Sequence, residues 1–230
     1  MSALSKVFCA IDTSDLDHAC LLARQIAPVT GGIKIGLEFF NAFGLGGVER
    51  LVQAAPDAQL FLDLKFHDIP NTVSGAVRSV CSNFSPAYLN VHAAGGRAMM
   101  EAAKASCGDN TRLLAVTVLT SLDEISIAEI GYQSGLAERV EQLALLSRAS
   151  GLDGVVCSAF EIERLRAACG DDFVLMVPGI RPKGAVQGDQ KRVMTPEDAM
   201  EAGATHLVIG RPITGAEDPA KAAADILSRL

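Results

Sequence analysis

The sequence predicts a closed (β/α)8 barrel, a single domain over residues 1–230, from three observations. Short apolar, β-branched-rich runs recur about every 20–30 residues, eight times in all, with Ala/Leu/Glu-rich helical patterns between them. Those runs are nearly continuous in apolar residues rather than alternating, as strands of a parallel sheet covered on both faces are. No glycine-rich nucleotide fingerprint follows the first run. Asp12-Thr-Ser-Asp15 stands there instead, which disfavours a doubly wound open sheet, the next-best architecture.

In order, the predicted strands are 7–12, 32–37, 59–65 and 87–92, then 113–119, 154–158, 173–178 and 206–210. The first carries Val7-Phe-Cys-Ala-Ile-Asp12, the second Gly32-Ile-Lys34-Ile-Gly-Leu37, and the third Gln59-Leu-Phe-Leu-Asp63-Leu-Lys65. The fourth and fifth end in His92 and Leu119, the sixth in Ser158, the seventh in Pro178 and the eighth in Gly210. Gly44-Leu-Gly-Gly47 lacks both the spacing and the preceding strand of a phosphate loop and reads as a loop or helix end. The longest irregular segment, 178–194, contains several glycines and four basic residues. It precedes Thr195-Pro196, a helix start with Thr as N-cap and Pro in the first turn. Such a long loop is functional or simply flexible, and its charge suggests a lid over an anion.

The composition narrows the function. Hydrophobic residues make up 49% and charged ones 20%, enough apolar material for a sizeable core, yet no stretch reaches membrane-span length. The N-terminus lacks the order of a signal peptide, so a cytoplasmic protein is expected. Six scattered cysteines show no CxxC pair and are expected to be reduced and buried. Four dispersed histidines make a dedicated metal site improbable. A net charge of -7, no Trp and two Tyr argue against nucleic acid as a partner.

Charged residues gather at the predicted strand ends. Asp63 and Lys65 share one strand face by period-2 alternation, and Asp68 follows ahead of Pro70, so three charges fall within six positions. They form either a structural ion-pair network or catalytic machinery, and the C-terminal end of a barrel strand favours machinery. Asp12, Lys34, Thr120, Ser121, Arg181, Gln190, Gly210 and Arg211 would stand over the same face. Gly210-Arg211-Pro212, opening a helical region after a strand, offers N–H groups and a guanidinium to a phosphate. Carboxylates around a lysine favour its ammonium form, a poor Schiff-base nucleophile but a usable proton donor to a carbanion. From the residues alone the chemistry is carbanion formation and protonation on a phosphorylated small molecule.

The stretch Phe61-Leu-Asp63-Leu-Lys65-Phe-His-Asp68-Ile-Pro-Asn-Thr72 resembles the signature of the orotidine 5′-phosphate decarboxylase family. The resemblance continues in Asn90-Val-His-Ala-Ala-Gly-Gly96, Ala115-Val-Thr-Val-Leu-Thr-Ser121, Gly151–Ser158, Pro178-Gly-Ile-Arg-Pro182, Gly188-Asp-Gln190 and Val208-Ile-Gly-Arg-Pro212, in order along the chain. It implies decarboxylation of orotidine 5′-monophosphate to UMP and CO2 with neither metal nor organic cofactor. It also implies roles. Lys65 would protonate C6 of the pyrimidine and Asp63 would lie against the substrate carboxylate, with Lys34 and Asp68 completing the charged network. Asp12 and Lys34 would hold the ribose, Thr120 and Ser121 the pyrimidine edge, and Pro178 the base pocket. Arg181, Gln190, Gly210 and Arg211 would bind phosphate. Members are homodimers, and Asp68 and Thr72 would reach into the partner's site. Two rivals remain: a metal-dependent sugar-phosphate decarboxylase or aldolase of the same barrel superfamily, and a non-catalytic barrel that binds nucleotide monophosphates.

Overall fold

The computed structural model describes residues 5–182 and 194–230. Eight parallel strands close into a barrel in sequence order: β1 Val7–Ala10, β2 Gly31–Ile35, β3 Gln59–Phe66, β4 Tyr88–His92, β5 Arg112–Val116, β6 Gly154–Val156, β7 Val174–Val177 and β8 His206–Ile209. Closure is made by β1 pairing with both β2 and β8, Val7 lying against Gly31 and Leu207.

Alternation along these strands builds two apolar layers. Phe8, Phe61, Tyr88, Leu114, Val116 and Met176 point inward and fill the barrel. Their neighbours Cys9, Leu62, Leu89, Ala115 and Leu175 point outward and pack beneath the helices. Both faces of each strand are therefore buried, which is why the strands read as unbroken apolar runs.

The helices begin where the local chemistry allows. Asp15 caps α1 (Leu16–Thr30) by accepting from the His18 N–H at 3.0 Å. Pro196 opens a short helix, Pro196–Glu201, behind Thr195, whose hydroxyl accepts from the Asp198 N–H, as its sequence predicts. α2 (Leu37–Ala54) differs from expectation. Its Gly44, read as part of a loop or helix end, lies inside the helix as a kink with φ +58°, while Phe39, Val48 and Leu51 stay on the buried face. All strands but β3 are also shorter than predicted. β1 stops at Ala10, β5 at Val116 and β6 at Val156, so the polar residues after them leave the ladder and rise over the C-terminal mouth. All six cysteines carry free thiols, five of them buried. Among the described residues, no helix is long and apolar enough to cross a membrane.

Candidate active site

Strand register explains how a lysine comes to lie inside the mouth. Lys34 of β2 lies beside Ala10 of β1 and Phe61 of β3, both interior residues, so its side chain also points inward. From there its ammonium reaches up to Asp12, which follows β1, with Nζ at 2.9 and 3.0 Å from the two carboxylate oxygens. Lys34 is almost wholly buried, and a second carboxylate, Asp63, lies 3.7 Å away. Asp63 Oδ1 in turn takes Lys65 Nζ at 2.7 Å. The result is a continuous row, Asp12–Lys34–Asp63–Lys65, in which charges of opposite sign alternate and each buried group has a partner.

Asp63 is the electrostatic centre of the row. Burial alone pushes its carboxyl up, but Lys34, then Lys65, and hydrogen bonds from Lys65 and Asn90 outweigh that and hold it below the usual carboxylate range. Lys65 is held in a different way. Its φ is +50°, in the left-handed region that a β-carbon disfavours by about 1–2 kcal/mol. Strain of this kind, in a charged residue at a strand end, is typical of functional positions.

Asp12, Lys34 and Asp63 of the row line a cavity of about 440 Å3 together with Pro178, Arg181, Gly210 and Arg211. Arg181 is half-buried, and both its burial and, secondarily, the charge of Arg211 lower its pKa. Two guanidiniums close enough to feel each other, facing a cavity, favour a doubly charged anion between them. Gly210 opens the one-turn helix Arg211–Thr214 directly after β8. A second, smaller cavity of about 60 Å3 adjoins Lys65 and is walled by Val116, Val118, Leu119, Thr120, Val156 and Pro178. Its lining is mostly apolar, with the Lys65 side chain at its edge.

The structure thus brings Asp12, Lys34, Asp63, Lys65, Thr120, Pro178, Arg181, Gly210 and Arg211 to the two adjoining cavities. Ser121 lies exposed in the turn just beyond Thr120. Asp68 and Thr72 stand apart. Asp68 is exposed, its Oδ1 accepting from the Ile69 N–H at 2.6 Å, and no ion pair within the chain joins it to Lys65. Within the chain Asp68 thus stands outside the Asp12–Lys34–Asp63–Lys65 row. Thr72 is exposed in the first turn of α3 (Pro70–Phe84), beside Ile69, an isoleucine 65% exposed. Gln190 and most of the expected 178–194 lid lie outside the described residues. At the borders of that segment, Ile180 bridges to Met194 and the Arg181 N–H donates to the Met194 carbonyl at 3.0 Å.

Two residues escaped the sequence reading. Gly36 follows β2 where a β-carbon would come within 2.9 Å of Asp12 Oδ1 and 3.0 Å of Lys34 Nζ, so only glycine lets that pair close. A glycine directly after a lysine-bearing strand was its only signal. Asn90 is fully buried, donates to Asp63 and accepts from the Lys65 backbone. It sat inside a quoted motif with no role attached.

No three His, Cys, Asp or Glu side chains converge as metal ligands among the described residues. The donor set of the mouth is a row of neutralised ion pairs, each carboxylate already committed to a lysine.

Comparison with known proteins agrees with the geometry. Residues 5–226 match the model of the "Orotidine 5'-phosphate decarboxylase / HUMPS family". A Rhodospirillum rubrum orotidine 5'-phosphate decarboxylase is 53% identical over 225 residues, covering 94% of this chain and 90% of the relative. One from Moorella thermoacetica is 46% identical, covering 100% and 94%. Among solved structures, orotidine 5'-phosphate decarboxylase from Lactobacillus acidophilus superposes with a TM-score of 0.85 at 34% identity, covering 98% and 99% of the two chains. An enzyme from Methanocaldococcus jannaschii, 17% identical, shares the fold with a TM-score of 0.79 over 99% of each chain.

Proposed function

The chain belongs to the orotidine 5′-phosphate decarboxylase / HUMPS family, and on that premise we propose that its single barrel domain converts orotidine 5′-monophosphate to UMP and CO2 by the charged row alone. The observation that carries this reading is the Asp63–Lys65 contact of 2.7 Å beside an apolar slot, with two guanidiniums across the cavity.

The assignment runs from the anion inward. Arg181 and Arg211, with Gly210, take the 5′-phosphate, and Gln190 joins them from the segment outside the described residues. Asp12 and Lys34 take the ribose hydroxyls. The pyrimidine enters the slot against Pro178, with Thr120 and Ser121 at its polar edge. This pose sets the substrate carboxylate against Asp63 and C6 near Lys65 Nζ. The C6–carboxylate bond then breaks with its electron pair left on C6, CO2 departs, and the Lys65 ammonium transfers one proton to C6. Fixed positive charge beside the developing carbanion needs no reorganisation at the moment of reaction. The proximity of Asp63 to the leaving carboxylate adds repulsion that departure of CO2 relieves. Phosphate contacts remote from C6 supply binding energy to this step.

The protein acts as a homodimer in this reading. Asp68 and Thr72, exposed on either side of the start of α3 beside exposed Ile69, would complete the partner's site. Six free thiols, two of them 4.0 Å apart at Cys81 and Cys107, fit the reducing cytoplasm.

The test is loss of orotidine 5′-monophosphate absorbance on adding purified protein with excess EDTA. Formation of UMP and CO2 undiminished by the chelator is the expected result. Conversion only of sugar phosphates, and only with added metal, would replace this reading with the superfamily rival. UMP binding without CO2 release would indicate a non-catalytic barrel.

A further inference from the structure

Asn90 sits where the β3–β4 ladder fails. Phe61 and Leu62 pair with Tyr88 and Leu89, and pairing resumes only at Phe66 against Val91. Asp63, Leu64 and Lys65 therefore face one residue of β4, Asn90. A bulge of this size leaves backbone groups without ladder partners inside the barrel wall.

The Asn90 side chain replaces the lost ladder. Its Oδ1 accepts from the Lys65 N–H at 2.8 Å, and its Nδ2 donates to Asp63 Oδ1 at 2.7 Å. That same Asp63 oxygen takes Lys65 Nζ at 2.7 Å. One buried amide thus grips Lys65 at its backbone and also grips the carboxylate that holds the far end of its side chain. The contacts form a closed ring. Only a side chain with a donor and an acceptor on one planar group can make both; aspartate lacks the donor and leucine lacks both. The left-handed backbone of Lys65, φ +50°, persists because this ring over-determines it.

We propose that Asn90 is a positioning residue for the decarboxylation, fixing Lys65 and Asp63 in reactive geometry before substrate arrives and touching no part of the substrate itself. This rests on the reading of the mouth as a decarboxylase site. It separates two quantities. Phosphate and ribose groups belong to β1, β2, β7 and β8 and are untouched, so affinity for UMP is preserved. Proton delivery by Lys65 is what fails.

The experiment uses two variants, Asn90→Ala and Asn90→Leu, the second preserving side-chain volume. For each, kcat and KM with orotidine 5′-monophosphate, UMP affinity, and amide hydrogen exchange at Lys65 by NMR are measured. The expected result is a kcat lower by about 100-fold or more, the cost of misplacing a reacting group by about an ångström. UMP affinity stays within about threefold, and Lys65 amide exchange quickens at least about tenfold as its acceptor is lost. A folded variant with kcat within about threefold of wild type would overturn the proposal. So would a kcat loss matched by an equal loss of UMP affinity, or failure of both variants to fold, which would assign Asn90 to the barrel wall. Wild-type protein that fails to convert orotidine 5′-monophosphate would sink the parent reading alone. The Lys65 exchange rate would still decide whether Asn90 holds Lys65.

Discussion

The two ends of the barrel solve the problem of polar groups among apolar strands in opposite ways. At the N-terminal floor, His206 Nδ1 donates to the Ser5 carbonyl at 2.7 Å, and Nε2 accepts from the Tyr88 hydroxyl at 2.7 Å. A carbonyl can only accept, so Nδ1 carries the proton, and burial, which lowers the ring's pKa to about 4, leaves Nε2 bare and the ring neutral at pH 7. Arg112 donates to the same hydroxyl, and Phe8 stacks edge-on against both Tyr88 and His206. The floor is sealed by these hydrogen bonds and by aromatic edges. The mouth instead joins Asp12, Lys34, Asp63 and Lys65 in a charged row, with two guanidiniums lining the same cavity as the first three and Lys65 in a disfavoured backbone state. The row of alternating carboxylates and lysines lies at the end where the strands run out, and Lys65 is strained there. The floor holds the barrel together, and the mouth is organised for chemistry at some cost in stability.

That contrast breaks apart under mutation. After loss of the Lys65 ammonium itself, the largest effect belongs to Arg211→Ala, which removes a charge-assisted phosphate contact and should lower kcat/KM by about 100-fold or more with the melting temperature little changed. Steady-state kinetics beside a thermal melt checks it, and a near-wild-type kcat/KM would remove the phosphate assignment.

The floor should respond to acid. Burial, partly offset by the Ser5 carbonyl, pushes the His206 imidazole down to about 4. An unfolded histidine titrates near 6.5, so between those values the unfolded chain binds more protons and stability falls as pH falls. This residue accounts for about 2 kcal/mol lost between about pH 7 and pH 5. Urea unfolding of His206→Gln across that range should show a correspondingly shallower pH dependence.

Tyr88→Phe leaves His206 Nε2 buried without its donor and should cost about 1–2 kcal/mol, while kcat per folded molecule is unchanged. A fall in kcat would mean that floor and mouth are coupled. The smallest effect tests strain directly. Lys65→Gly should be more stable than Lys65→Ala by about 1 kcal/mol, because glycine adopts the left-handed state freely. The reverse order would remove strain from the account.

The legible parts of the molecule were those governed by burial and strand period. All eight strands appear where apolar runs predicted them, because a parallel barrel buries both strand faces. Asp63 and Lys65 do meet, at 2.7 Å, although the β3–β4 ladder is interrupted across them. Strand period could not place Asp68, because β3 ends at Phe66 and no alternation extends into the turn beyond it. The left-handed Lys65 was invisible because backbone strain is set by the bulge against β4, a contact between strands far apart in sequence. The same long-range pairing hid Asn90. Gly36 was hidden by the Asp12–Lys34 pair closing over it, again a contact between two strand ends.

The most direct test of the whole account is Lys65→Ala, read twice on the same preparation: turnover of orotidine 5′-monophosphate and melting temperature. Lys65 is a partly exposed ion-pair member at the mouth. Turnover should fall at least about 1000-fold while stability moves by no more than about 1 kcal/mol. Turnover within about tenfold of wild type, or a protein that no longer folds, would contradict the division between a floor that stabilises and a mouth that reacts.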